Sequence, residues 1–104
     1  MNLYQIKEWC DSNMIIERSK EAFATALDDY INESYEEYLE VFGKDNSNIT
    51  GELDNICYKV DLPDFDKEFI MVNINIIYKD TIKGWYRIIY KLNGDFFDDY
   101  FVIE

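Results

Sequence analysis

Glu68-Phe69-Ile70-Met71-Val72-Asn73-Ile74-Asn75-Ile76-Ile77-Tyr78-Lys79-Asp80 decides the fold of this chain. Ile70, Val72, Ile74, Ile76 and Tyr78 alternate with Met71, Asn73, Asn75, Ile77 and Lys79, the period of two expected of a half-buried strand with its even positions toward the core. Downstream, Gly84 to Leu92 and Asp95 to Ile103 are strand-like and flank Asn93-Gly94, a pair that predicts a two-residue type I′ hairpin. Upstream, Ile56, Tyr58, Val60 and Leu62 share one side of a further strand over Ile56 to Leu62, which Pro63 ends. Four consecutive strands predict an antiparallel meander.

The N-terminal half changes period. Asn2 with Gln5 fits a capping pattern, and Leu3, Ile6, Trp9 and Cys10 follow at helical spacing, so a short helix is predicted to end near Asp11-Ser12-Asn13. A long helix is predicted from between Met14 and Ser19 to Phe42, with Gly43 as its left-handed C-cap. Lys44 to Asn55, rich in Asn, Asp, Ser and Gly, reads as a loop. The expectation is a single α+β domain over 1–104: one short and one long N-terminal helix packed on a four-stranded antiparallel meander. In order of elements this resembles the cystatin-like and NTF2-like layouts, a resemblance that implies a sheet curled around the long helix and carries over no functional residue.

A two-residue turn at Asn93-Gly94 sets Leu92 opposite Asp95, Lys91 opposite Phe96, Ile89 opposite Asp98, Arg87 opposite Tyr100 and Trp85 opposite Val102. Tyr86, Ile88, Tyr90 and Leu92 with Phe97, Asp99, Phe101 and Ile103 form the more apolar face, assigned to the core. Trp85, Arg87, Asp98 and Tyr100 then belong to an outer face of aromatic and charged residues, a composition found in binding hot spots. Asp99 is the anomaly, since an unpaired carboxylate in a core is costly; a bulge near Asp98-Asp99 or a place at the sheet rim would relieve it.

The 104 residues carry 22 acids against 10 bases, a net charge of −12, with nine Tyr, seven Phe and two Trp. Aromatic content at this level excludes a disordered acidic tail. The charge argues against direct nucleic-acid binding and against anionic membranes. No apolar run is long enough to span a membrane, and the start lacks a charged segment followed by an apolar one, so a cytoplasmic protein is expected. Cys10 and Cys57 read as free thiols. The chain has no His, and so lacks the usual general base and the favoured transition-metal ligand. Asp45 to Glu52 departs from a calcium loop at Ile49 and Gly51. No catalytic residue, metal or cofactor is expected. Carboxylate-only chemistry would have to draw on Asp95, Asp98, Asp99 and Glu104.

From Asp28 to Glu40 there are six acids and no Lys or Arg. At about 100° per residue, Asp29, Glu33, Glu36 and Glu40 share one stripe, opposite Phe23, Leu27, Tyr30, Ile31, Ser34, Tyr38, Val41 and Phe42. Like charges four apart cost roughly 0.2–0.5 kcal/mol per pair, and a surface kept only for solubility would mix signs. The stripe points to a basic protein partner, with Asp29, Glu33, Glu36, Glu40, Trp85, Arg87, Asp98 and Tyr100 as contact residues. In size, acidity and lack of catalytic groups the chain is similar to immunity proteins that neutralise toxins such as nucleases. Alternative readings are a phage-type nucleic-acid mimic acting on a DNA-handling defence enzyme, and a ligand-binding or structural domain with a pocket lined by Tyr58, Tyr86 and Phe101.

Overall fold

The computed structural model describes residues 1–43, 48–62 and 67–104. Its elements are α1 (Leu3–Ser12), α2 (Ile15–Glu33), α3 (Tyr35–Phe42), β1 (Ile49–Val60), β2 (Glu68–Tyr78), β3 (Thr81–Lys91) and β4 (Phe96–Ile103). The strands form one antiparallel sheet in the order β1-β2-β3-β4, so the chain is α+β with its helices preceding a meander. The capping box is present: the Gln5 amide donates to Asn2 Oδ1 and the Asn2 amide to Gln5 Oε1, both at 2.9 Å.

The long helix is broken. Ser34 leaves helical geometry at φ −126°, ψ 45°, separating α2 from α3. Two forces favour the break. Repeated acid pairs four apart weaken a continuous helix, and the bend drops Tyr38 and Phe42 onto the sheet, where the Phe42 ring meets Tyr78 edge-on at 5.4 Å. Gly43 follows at φ 76° and ψ −157°, a positive φ suited to glycine but outside the left-handed helical basin expected of it.

β1 starts at Ile49 rather than Ile56, and it ends at Val60 rather than Leu62. The predicted loop is therefore strand from Ile49 onward, while its portion 44–47 and Pro63 lie outside the described residues. Pairing from Ile49 with Tyr78 through Leu53 with Ile74 overrides weak local propensity. A bulge at Asp54 then lets Ile49, Gly51 and Leu53 share a face with Ile56, Tyr58 and Val60.

The turn chemistry is also redistributed. Lys79 and Asp80, at φ 50° and 63°, make the two-residue connection between Tyr78 and Thr81, the geometry predicted for Asn93-Gly94. At that second site the connection has three residues: the Gly94 amide donates to the Lys91 carbonyl and the Lys91 amide to the Asp95 carbonyl, each at 2.9 Å. Gly94 alone has positive φ there, at 95°. Lys91 is therefore not opposite Phe96, which pairs with Tyr90. A bulge at Phe97 absorbs the extra residue, and from Ile89 with Asp98 to Trp85 with Val102 the predicted register is recovered.

Ile70, Val72, Ile74, Ile76 and Tyr78 of β2 are buried, while Glu68 at the strand's start is exposed. Val72, Ile74, Ile76 and Tyr78 cluster with Ile15, Phe23, Tyr38 and Phe42 from the helices and Tyr86, Ile88 and Tyr90 from β3. Ser19, fully buried, shares a hydrogen bond of 2.9 Å with the Tyr90 hydroxyl. On the α1 side, Trp9 Nε1–H donates to the Leu92 carbonyl at 2.7 Å. Cys10 and Cys57 are both free, as expected, and burial pushes the Cys10 thiol up, helped by Asp11.

Burial also raises the hydroxyls of three core tyrosines. Tyr30 is pushed up to about 12 by burial and then by the charge of Glu37. Burial raises Tyr86, helped by its bond to Asp99, and raises Tyr90 against the lowering effects of Ser19 and Arg18. In the unfolded chain these hydroxyls ionise near 10, so the folded state holds more protons above that pH. Stability should be fully present below pH 10 and fall as pH rises through about 12. Urea midpoints measured across that range should decline steadily, and Tyr30→Phe should flatten part of the decline.

Candidate functional site

Among the described residues β4 is an edge strand, paired with β3 alone. Beside it, on the helix side of the sheet, runs an open groove of about 470 Å³ between α2 and β4. Asp29, Tyr30 and Glu33 line it from α2, and Phe96, Asp99 and Phe101 from β4. Their positions follow from local structure: Asp29 and Glu33 lie one turn apart on α2, and Phe96, Asp99 and Phe101 pair with Tyr90, Ile88 and Tyr86, the core-facing residues of β3.

The Asp99 anomaly resolves by position. It is opposite Ile88 as the register predicts, but at the uncovered rim, exposed, where it accepts a hydrogen bond of 2.8 Å from the Tyr86 hydroxyl. The bulge in this strand is at Phe97, two residues earlier. Asp29, Glu33, Glu36 and Glu40 are all exposed. Among the described residues the single ion pair is Lys59 with Asp61 at 3.4 Å, so these four acids and Asp99 have no cation paired with them there.

The structure does not bring all eight expected contact residues together. Asp29 and Glu33 line the groove, whereas Glu36 and Glu40 lie past the break on α3. Trp85 and Arg87 are on the opposite sheet face, as the alternation predicts, and they are tied into it. Trp85 Nε1–H donates to Glu104 Oε1 at 3.0 Å, Arg87 Nε–H donates to Asn73 Oδ1 at 2.7 Å, and the Arg87 guanidinium lies 5.0 Å from the Trp85 ring. Arg87→Ala should therefore cost about 1 kcal/mol of stability, read as a lower urea midpoint. Asp98 and Tyr100 share this outer face but sit on the edge strand itself.

Sequence reasoning set Phe96 opposite Lys91 on the outer face, whereas it lines the groove on the helix side and is 54% exposed. Its signal was an aromatic next to a turn, masked by the assumed turn length. Tyr58, Tyr86 and Phe101 do not form the one pocket expected of them: Tyr86 and Phe101, their rings 6.3 Å apart, both line the α2–β4 groove, which Tyr58 does not. Tyr58 is on the far strand, its hydroxyl donating to Glu68. Among the described residues no three metal-ligating side chains cluster, and no helix is long and apolar enough to cross a membrane. Comparison with known proteins finds no family model, curated protein or solved structure that the chain matches.

Proposed function

We propose that this chain binds a basic protein and inhibits it by occupancy, in the manner of an immunity protein that neutralises a toxin such as a nuclease. The observation that carries this reading is the groove between α2 and β4, lined by Asp29, Glu33 and Asp99 with no cation paired to them among the described residues, and rimmed by exposed Phe96. Exposed acids steer a cationic surface toward the groove, and the aromatic rim offers apolar contact once it arrives. Nucleic-acid mimicry has less support, because the break at Ser34 interrupts the repeat of carboxylates along one helix.

An occupancy inhibitor is consumed in proportion to its target. Titrating a target captured from the native host should end sharply near one equivalent per site, at concentrations above the dissociation constant, and the complex should weaken as salt rises. Complete inactivation by about one hundredth of an equivalent would mean turnover, and would move Asp98, Asp99 and the nearby acids into a catalytic role.

A further inference from the structure

We infer that the open edge of β4 takes up an extended, lysine- or arginine-bearing strand of the partner, which pairs antiparallel with Asp99, Phe101 and Ile103 and lays its cationic side chains in the α2–β4 groove. This rests on the proposed basic partner and specifies how that partner is held.

The phase of the β3–β4 ladder is fixed by the Glu104 amide donating to the Lys83 carbonyl at 2.8 Å. Antiparallel bonding alternates residue by residue, so Val102, Tyr100 and Asp98 turn their amides and carbonyls toward β3. Asp99, Phe101 and Ile103 turn theirs away, to the edge that no strand covers among the described residues. The Asp99 amide shows this orientation directly, since it donates at 2.8 Å to the carboxylate of its neighbour Asp98 rather than to β3.

An unpaired edge is a template for another strand, and its surroundings choose which one. A strand added about 4.8 Å beyond β4 would send alternate side chains to opposite sides of the sheet. On the helix side they would enter the groove beside Asp99, Asp29 and Glu33; on the other they would lie beside Asp98, Tyr100 and Val102. Cations at alternate positions with apolar residues between them fit both sides. A second copy of this chain fits neither, because β4 against β4 brings two acidic edges together in chains of net charge −12. The other edge, β1, is interrupted by its bulge at Asp54. Asp98 and Tyr100 thus join Asp29 and Glu33 in one contact, whereas Trp85 and Arg87 stand one strand further in.

The probe is a short peptide alternating lysine and valine. Lysines directed into the groove would be the residues whose amides bond to β4, and the valine amides would face solvent. At saturating peptide, hydrogen exchange of the Phe101 and Ile103 amides should slow about tenfold or more. N-methylation at the lysine amides should weaken binding about tenfold or more, whereas N-methylation at the valine amides should leave it nearly unchanged. A peptide alternating glutamate and valine should not bind.

If both methylated peptides bind like the parent, or both weaken equally, the contact is one of charge alone and the edge proposal falls while the basic-partner reading stands. No binding of the lysine peptide also overturns the edge proposal, as does protection of Phe101 and Ile103 in a self-associated protein without peptide. If the peptide pairs as expected but reversing Asp29 and Glu33 leaves a captured partner's association unchanged, the basic-partner reading falls instead.

Discussion

Replacing Gly84 with alanine should cost about 3 kcal/mol or more and detach β4 from β3. Gly84 faces the core opposite Ile103. A Cβ built there would collide with the Val102 carbonyl and come within 2.9 Å of the Ile103 Cα, both backbone atoms of the paired strand. Backbone cannot rotate aside as a side chain can, so relief requires the two strands to part. Gly51→Ala is the matched comparison, because its Cβ would meet the ends of side chains, Phe23 at 2.8 Å and Ile74 at 3.0 Å. Those can shift, and the loss there should be nearer 1 kcal/mol. Urea unfolding of both variants tests the difference, and equal losses would mean that β4 is not held as closely to β3 as the geometry requires. Loss of β4 would also remove Phe96, Asp99 and Phe101 from the groove, so Gly84→Ala should bind no partner at temperatures where Gly51→Ala still does.

Reversing Asp29, Glu33, Glu36 and Glu40 together to lysine should slow association with a basic partner about a hundredfold at low salt. All four are exposed and contribute nothing to the core, so thermal stability should stay within about 0.5 kcal/mol of the parent or rise slightly. The tertiary structure divides the effect. Asp29 and Glu33 line the groove and Glu36 and Glu40 do not, so reversing the α2 pair should raise the dissociation rate as well as slow association. Reversing the α3 pair should act on association alone, and less strongly as salt rises. Stopped-flow association with a captured target at two salt concentrations checks this, and an unchanged rate in the quadruple variant would reduce the stripe to a solvated surface.

The sequence by itself determined the class of fold, the core face of β2, the outward side of Trp85 and Arg87, and the concentration of acids on the helices. Each is a periodic or compositional property, legible because burial imposes a period of two on a strand and 3.6 on a helix. What only the tertiary structure decided are the departures from period. Asp54 and Phe97 are bulges that can be placed only against a partner strand, and the local signal at Asn93-Gly94 suits a two-residue loop as well as the three-residue one adopted. Ser34 breaks the helix where Phe42 must reach Tyr78, a contact between residues 36 apart in sequence. The groove belongs to the same group. Asp29 and Glu33 come beside Asp99 because α2 lies along the edge of a sheet whose last strand follows about sixty residues later in the chain, and no local pattern encodes that distance. Local free energies select helix or strand, but the packing of one surface on another selects which charges meet.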